Sequence, residues 1–293
     1  MLMQKEETDT SSISFTAHYT GHIWYNYGLS EHFFATMPGR FLFNTLRPFE
    51  WAGRMLFGSD IKSCLLQRHY LIDHILEKAI EEQGYTQVLE VACGLSPRGF
   101  RFMKKYADQD IRYIEADLPG MAKRKEALLS KHKTLDETHK VIVCNILEKD
   151  GEHSIKQVVE RELDPGRKTI VITEGLIMYF SLEVIKGFWE RLHTHMSQLP
   201  EVRYLADNYP LSRKHPLYKI MRFIEHSLGF LSRADVNFHF ANERDVSDYF
   251  ADIGFEAMCH DPKDYFDKTD MPQNRSAEFV HVIDAKILRA NSD

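Results

Sequence analysis

The chain has 293 residues, a formal charge of -6, and a composition 43% hydrophobic and 27% charged, which is that of a globular protein with one large α/β domain or a domain plus a cap. The acidic balance argues against a general nucleic-acid binder. The lack of an apolar run of about 18 residues argues against a membrane span, and the polar start, MLMQKEETDTSS, has no apolar signal-peptide core. A cytoplasmic location is expected. The widely spaced cysteines, Cys64, Cys93, Cys144 and Cys259, contain no C-x-x-C and read as reduced small hydrophobes. His193 and His195 are the closest histidine pair, but positions i and i+2 do not share a helix face, so no metal site is expected.

In chain order, residues 1–12 read as a disordered tail. Residues 14–34 are rich in aromatics and histidines and read as helical cap material. There Trp24, Tyr25 and Tyr27 either cover a ligand pocket or pack onto the core. Residues 41–57 are again aromatic, with Pro48 as an expected break. Residues 61–82 carry an apolar stripe at helical spacing, closed by Gly84. Arg68 and Asp73 lie on that helix, where the ordinary reading of both is a solvated face. Residues 1–84 are thus expected to form a tail and helical cap.

From 85 to 293 strands and helices alternate. Strands are expected at 87–91, 111–115, 140–144, 169–173 and 202–206, with helices at 98–106, 121–131, 154–162 and 182–198 between them. Residues 208–240 break the rhythm with an amphipathic helix near 217–228, and read as a lid insertion. A helix at 243–252 and strands at 255–259 and 279–285 follow. Only a loop joins the last two strands, so one is expected antiparallel. The fold class is α/β: a doubly wound, seven-stranded, mostly parallel Rossmann-like sheet with an N-terminal helical cap and an insertion after strand 5.

The stretch QVLEVACGLSPRGFRF, 87–102, reads as strand, small-residue turn and helix N-terminus. It lacks G-x-x-x-x-G-K-[ST]. It also fails G-x-G-x-x-G, since Ala92 and Pro97 occupy its ends. An acid at the strand end followed by small-x-Gly suits a ligand bearing an ammonium group. The plain alternative is an ordinary strand-to-helix turn. Ligands of such sheets bind at the carboxyl ends of strands, where Glu90, Asp117, Asn145 and Glu174 fall. Each acid taken singly also reads as a helix cap or loop charge.

Several motifs then line up in order. EVACGLSPR at 90–98, Asp117-Leu118-Pro119 followed by Lys123 and Lys125, Glu174-Gly175-Leu176-Ile177-Met178-Tyr179, and Arg68-His69-Tyr70-Leu71-Ile72-Asp73 resemble the leucine carboxyl methyltransferase-like family. That family includes bacterial O-methyltransferases linked to polyketide biosynthesis. The resemblance runs over nearly the whole chain and implies a class I methyltransferase fold that uses S-adenosyl-L-methionine (SAM). It implies that Arg68 pairs with the SAM carboxylate, Glu174 holds its amino group, Asp117 holds the ribose, and Asn145 and Ile146 bracket the adenine. Glu90, Ala92 and Gly94 would form the cofactor loop. The sequence departs from the family pattern at Ala92, at Ser96-Pro97, at Asn145 and at Ala17, which has His18 beside it.

The expected activity is methylation of a carboxylate or hydroxyl oxygen on a small molecule, without nucleic-acid or membrane partners. A carboxylate acceptor needs no base, whereas a phenol or alcohol needs one or a hydrogen-bond acceptor. Tyr179, Asp207 and Tyr209 lie near strand ends as substrate-side candidates, and no catalytic residue is singled out. The alternative is a non-catalytic module that binds SAM or its demethylated product for sensing or partner binding. A reductase with a degenerate dinucleotide loop is a third reading, opposed by the missing third glycine and the Arg68 helix.

Overall fold

The computed structural model describes residues 11–210 and 237–288. Residues 1–10 of the tail expected at 1–12, and the amphipathic helix near 217–228, lie outside the described residues. Three helices come first: α1 (Ser11–Asn26), α2 (Met37–Phe57) and α3 (Ile61–Gln83). Residues 11–12 therefore begin a helix rather than end a tail. The expected break at Pro48 does not occur, and α2 runs through it. An interior proline costs about 3 kcal/mol in an isolated helix, but α2 is held by its packing on α1 and by caps at both ends. Thr36 accepts the Gly39 N–H, and Gly58 closes the helix in the left-handed conformation. Asp60 caps the start of α3 and Gly84, at φ 74°, its end.

Next come β1 (Gln87–Val91), α4 (Arg98–Lys105), β2 (Arg112–Asp117), α5 (Pro119–Lys131) and β3 (His139–Val143). They are followed by α6 (Ile155–Glu162), β4 (Thr169–Thr173), α7 (Leu182–Met196) and β5 (Val202–Asn208). The last elements are α8 (Glu243–Ala251), β6 (Phe255–His260) and β7 (His281–Ile287). Boundaries shift from those expected by one or two residues at most element ends. The shift matters at β2, which reaches Asp117, and at β5, which reaches Asn208, so both functional candidates Asp117 and Asp207 sit within strand ends.

The seven strands order as β3-β2-β1-β4-β5-β7-β6. The first five pair in parallel, while β7 inserts antiparallel between β5 and β6. The strand expected to run against the rest is thus the last one. The chain winds outward from β1 to β3, then returns to β4 on the other side of β1. That switch point opens a crevice at the carboxyl ends of β1 and β4.

Strand alternation sends neighbouring side chains to opposite faces. Leu89, Val91, Val171 and Tyr204 pack with Val158, Phe188, Trp189 and Phe250 of α6, α7 and α8. Val88, Tyr113, Ile170 and Leu205 pack with Leu71, Ile75, Leu76 and Phe102 of α3 and α4. Helix α3 therefore shares the apolar core of the sheet. Glu90 lies two residues beyond Val88, so it points to the α3–α4 face. Among the described residues no helix is long and apolar enough to cross a membrane, and all four cysteines are unbridged.

Candidate functional site

The loop after β1 is built by two residues in the left-handed region, Ala92 at φ 53° and Gly94 at φ 51°. Gly94 tolerates that conformation freely, whereas an alanine there costs about 1–2 kcal/mol. Asp117, at the tip of the adjacent β2, holds the loop in place. Its Oδ2 accepts the Gly94 N–H at 2.7 Å and its Oδ1 accepts the Leu118 N–H at 2.7 Å. Burial pushes the Asp117 carboxyl above its ordinary range, and the two N–H donors only partly offset that.

Behind the loop lies a dense set of buried charges. Arg68 on α3 donates from Nε to Glu174 Oε1 at 3.0 Å. Its Nη1 donates to Asp207 Oδ2 at 2.8 Å and to the Tyr209 hydroxyl at 2.6 Å. Asp207 uses its other oxygen to accept the Gly175 N–H at 2.6 Å. Arg98, at the start of α4, is fully buried. It donates to Asp73 Oδ1 at 2.5 Å, to Glu90 Oε1 at 2.7 Å and to Glu174 Oε2 at 2.5 Å. Arg101 reaches Asp73 Oδ2 at 2.7 Å, and the Tyr113 hydroxyl donates to Glu90 Oε2 at 2.7 Å. His69 Nδ1 lies 2.9 Å from both Glu174 Oε2 and Arg98 Nη2, and the ring of Trp24 lies against the imidazole at 4.6 Å between centroids.

Three arginines thus face four buried carboxylates, with Arg68 and Arg98 buried and Arg101 partly exposed at the edge. For Glu174 and Asp73, burial opposes the charge and pairing reverses it. Burial raises the Glu174 carboxyl, yet His69, Arg98 and Arg68 hold it well below the usual carboxylate range. Burial likewise opposes ionised Asp73, but His69, Arg101 and Arg98 bring it down to about 2. Arg68 remains charged against its own burial because Tyr209, Asp207, Glu174 and Tyr179 surround it.

The structure gathers Arg68, Glu90, Glu174, Asp207 and Tyr209 into one network and places Ala92, Gly94 and Asp117 in the adjoining loop. Asn145 and Ile146 stand apart on the connection from β3 to α6. Asn145 Oδ1 accepts the Leu147 N–H at 3.0 Å, and the buried Ile146 gives its carbonyl to Arg191 Nη2 at 2.5 Å. Tyr179 is half-buried in the short 3-10 turn Ile177–Tyr179.

The solvated-face reading of Arg68 and Asp73 is overturned, since both are buried and paired. Trp24 packs inward, while Tyr25 and Tyr27 remain 40% exposed. Arg98, His69, Arg101 and Tyr113 were not singled out in the sequence, although Arg98 closes the EVACGLSPR motif. A second buried cluster was also missed: Lys125 Nζ lies 2.7 Å from Glu115 Oε1 and His139 Nε2 3.2 Å from Glu115 Oε2. Its signal was an acid at a core-facing position of an apolar strand.

Comparison with known proteins bears on this arrangement. The sequence model of the leucine carboxyl methyltransferase family matches residues 47–192, so the chain is leucine carboxyl methyltransferase-like over that span. Leucine carboxyl methyltransferase 1 of Schizosaccharomyces pombe is 35% identical over 69 residues, which is 23% of this chain and 22% of that protein. A protein from Thermobifida fusca described as a candidate methyltransferase superposes with a TM-score of 0.57 at 13% identity, over 93% of this chain and 94% of that one. The SAM-dependent methyltransferase SibL, in its apo form, gives 0.51 at 15% identity, over 75% and 55% of the two chains. PigF, solved with SAH, gives 0.50 at 14% identity, over 85% and 73%. At such identities these likenesses speak to the fold. The fold is that of SAM-dependent methyltransferases.

Proposed function

We propose that this leucine carboxyl methyltransferase-like chain transfers a methyl group from SAM to a carboxylate or hydroxyl oxygen of a small molecule. The observation that carries the reading is the buried Arg68–Glu174 pair beside the Gly94–Asp117 loop, at the crevice between β1 and β4. A guanidinium suits a carboxylate, and carboxylates suit an ammonium group and a pair of ribose hydroxyls. The lack of a side chain at Gly175 lets the Arg68 guanidinium lie against the end of β4, because a Cβ there would stand 2.9 Å from Arg68 Nη2. These residues fit the group.

In this reading Arg68 binds the methionine carboxylate, Glu174 the ammonium group, and Asp117 the ribose. Asn145 and Ile146 flank the adenine, and Ala92 and Gly94 line the loop. Glu90 acts through Arg98. Asp207 and Tyr209 steady Arg68, and with Tyr179 they border the acceptor side. Bound SAM supplies an electrophilic methyl group on a sulfonium. The protein's share is to orient donor and acceptor, which suffices for an in-line displacement onto an already ionised carboxylate. The reading carries with it a division into 1–84 and 85–293 with an insertion at 208–240, a cytoplasmic location and no nucleic-acid partner.

The test is calorimetry with SAM and its demethylated product, followed by transfer of tritiated methyl to a panel of carboxylic acids and phenols. Wild type is expected to bind and transfer. Arg68→Lys retains charge but loses the planar fork, and is expected to lose binding and turnover together, as is Glu174→Gln. Transfer undiminished in both variants overturns the placement. A second reading, a SAM-binding module without turnover, is motivated by the departures from the family pattern at Ala92 and Asn145. Binding without transfer to any acceptor supports it.

A further inference from the structure

Helix α2 carries most of the strongly exposed apolar side chains among the described residues. Met37, Phe41, Trp51, Met55 and Leu56 are 67–76% exposed, and exposed large hydrophobics elsewhere reach at most 50%. Met37, Phe41, Asn44, Pro48, Trp51 and Met55 follow one another at alternating steps of four and three residues, so they form one stripe along the helix. The opposite side packs on α1, with Leu42 buried and Phe43 and Leu46 against the same cluster. The stripe therefore faces outward as a consequence of how α2 is held.

The exposed charge on this helix is one-signed. Arg40, Arg47 and Arg54 recur every seven residues along one flank of the stripe, and all are exposed. The single acid, Glu50, is turned inward, accepting from the Tyr19 hydroxyl at 2.6 Å and the Lys62 N–H at 3.3 Å. Between α2 and the start of α3 lies a shallow groove of about 130 Å³, lined by Arg47, Trp51, Arg54 and Lys62 and also by Glu50 and the buried Asp60, which stands 3.9 Å from the exposed Arg54. Lys62 also lies 5.6 Å from the ring centroid of the exposed Tyr27. Exposed tryptophan and tyrosine with flanking basic side chains are the composition of a surface that settles at a lipid headgroup layer.

We propose that the outward face of α2 docks this protein peripherally on an anionic membrane surface. The sequence had suggested no membrane partner because it holds no span, and peripheral docking needs none. Two features favour lipid over a second helix. Pro48 offers no N–H to the carbonyl of Asn44, so a dry helix–helix seam would bury an unpaired acceptor, while the headgroup region is wet. An antiparallel pair of α2 helices crossing at their middles would bring Arg47 toward its own copy, whereas anionic lipid complements all three arginines.

The test uses the full chain and vesicles of phosphatidylcholine alone or mixed with phosphatidylglycerol at three to one. Wild type is expected to co-sediment with the anionic vesicles and not the neutral ones. Trp24 and Trp189 are buried, so a blue shift of tryptophan emission on binding would report Trp51. Arg47→Gln with Arg54→Gln is expected to lower partitioning about fivefold for each arginine removed, and Phe41→Ser with Trp51→Ser to abolish it. All substitutions lie on exposed positions, and circular dichroism checks their folds. Absence of wild-type binding overturns the proposal, as does equal binding by all variants. A concentration-dependent dimer that Trp51→Ser dissociates, without vesicle binding, would assign the face to self-association instead.

Discussion

Arg68 Nε and Glu174 Oε1 stand 3.0 Å apart across 106 residues of chain. The pair ties α3, which precedes the sheet, to the carboxyl end of β4. Both residues are buried, and each has further partners, so the pair is one edge of a closed network. Arg98 is its other hub, and its three carboxylate partners come from α3, β1 and the end of β4.

Replacing Arg98 with Met keeps much of the volume and removes the charge. Asp73, Glu90 and Glu174 would each lose a buried guanidinium, and Glu90 would be left with the Tyr113 hydroxyl. Breaking a buried pair in this way costs about 3–5 kcal/mol. Urea denaturation of wild type and variant measures it, and a loss below about 1 kcal/mol would show that water or rearrangement replaces the guanidinium.

Asp73 sets an acid limit. Its folded value of about 2 lies below the ordinary 3.8, so the unfolded chain binds more protons in between. The stability it contributes is present above pH of about 4 and is lost as pH falls through about 2. The contribution is on the order of 2 kcal/mol. Glu174, held well below its ordinary 4.5, acts with the same sign. Denaturant titrations from pH 6 to pH 2 should show stability falling with acid. Asp73→Asn should lower stability at pH 6 and flatten the slope.

Ala92 offers a gain. Glycine at this φ of 53° relieves about 1–2 kcal/mol of left-handed strain and loses roughly 0.4–1 kcal/mol through the more flexible unfolded chain. Ala92→Gly is expected to raise stability by about 0.5–1 kcal/mol, read from the denaturation midpoint. An unchanged or lowered midpoint would mean that the methyl's packing against the α6–α8 side of the core outweighs the strain.

Gly175 is constrained twice. It sits at φ 69°, and an added Cβ would meet Arg68 Nη2 at 2.9 Å. Gly175→Ala is expected to lose about 1–2 kcal/mol of stability from backbone strain alone. By displacing Arg68, it should also weaken SAM binding tenfold or more. Calorimetry separates the two effects, and normal affinity in a destabilised variant would remove Arg68 from the cofactor site.

Asp117→Asn replaces one acceptor oxygen with an amide that faces a backbone N–H. Loss of the charge-assisted acceptor should weaken SAM binding by about 1.5–3 kcal/mol, roughly ten- to a hundredfold. Unchanged binding with an intact circular dichroism spectrum would leave Asp117 as a brace for the loop alone.

Much of this molecule was legible locally. The strands at 87–91 and 169–173 are buried on both faces and centre on the apolar runs Val88-Leu89 and Ile170-Val171-Ile172. Gly84 and Gly94 mark places where the backbone turns left-handed, and Asp117 and Glu174 stand at strand ends, where the sheet's winding opens a crevice. Strand alternation, turn chemistry and motif order depend on neighbours a few residues away, so the sequence alone determined the fold class and the family resemblance. Pro48 misled because its penalty is local while the packing and caps that hold α2 are not. The plain reading of Arg68 and Asp73 was a solvated face, because a lone charge belongs in water, and Arg98 was not singled out at all. Only the tertiary structure decided otherwise. Arg98 meets Asp73 across 25 residues and Glu174 across 76, and a charge leaves water without severe cost only when its counter-charge arrives from elsewhere in the chain.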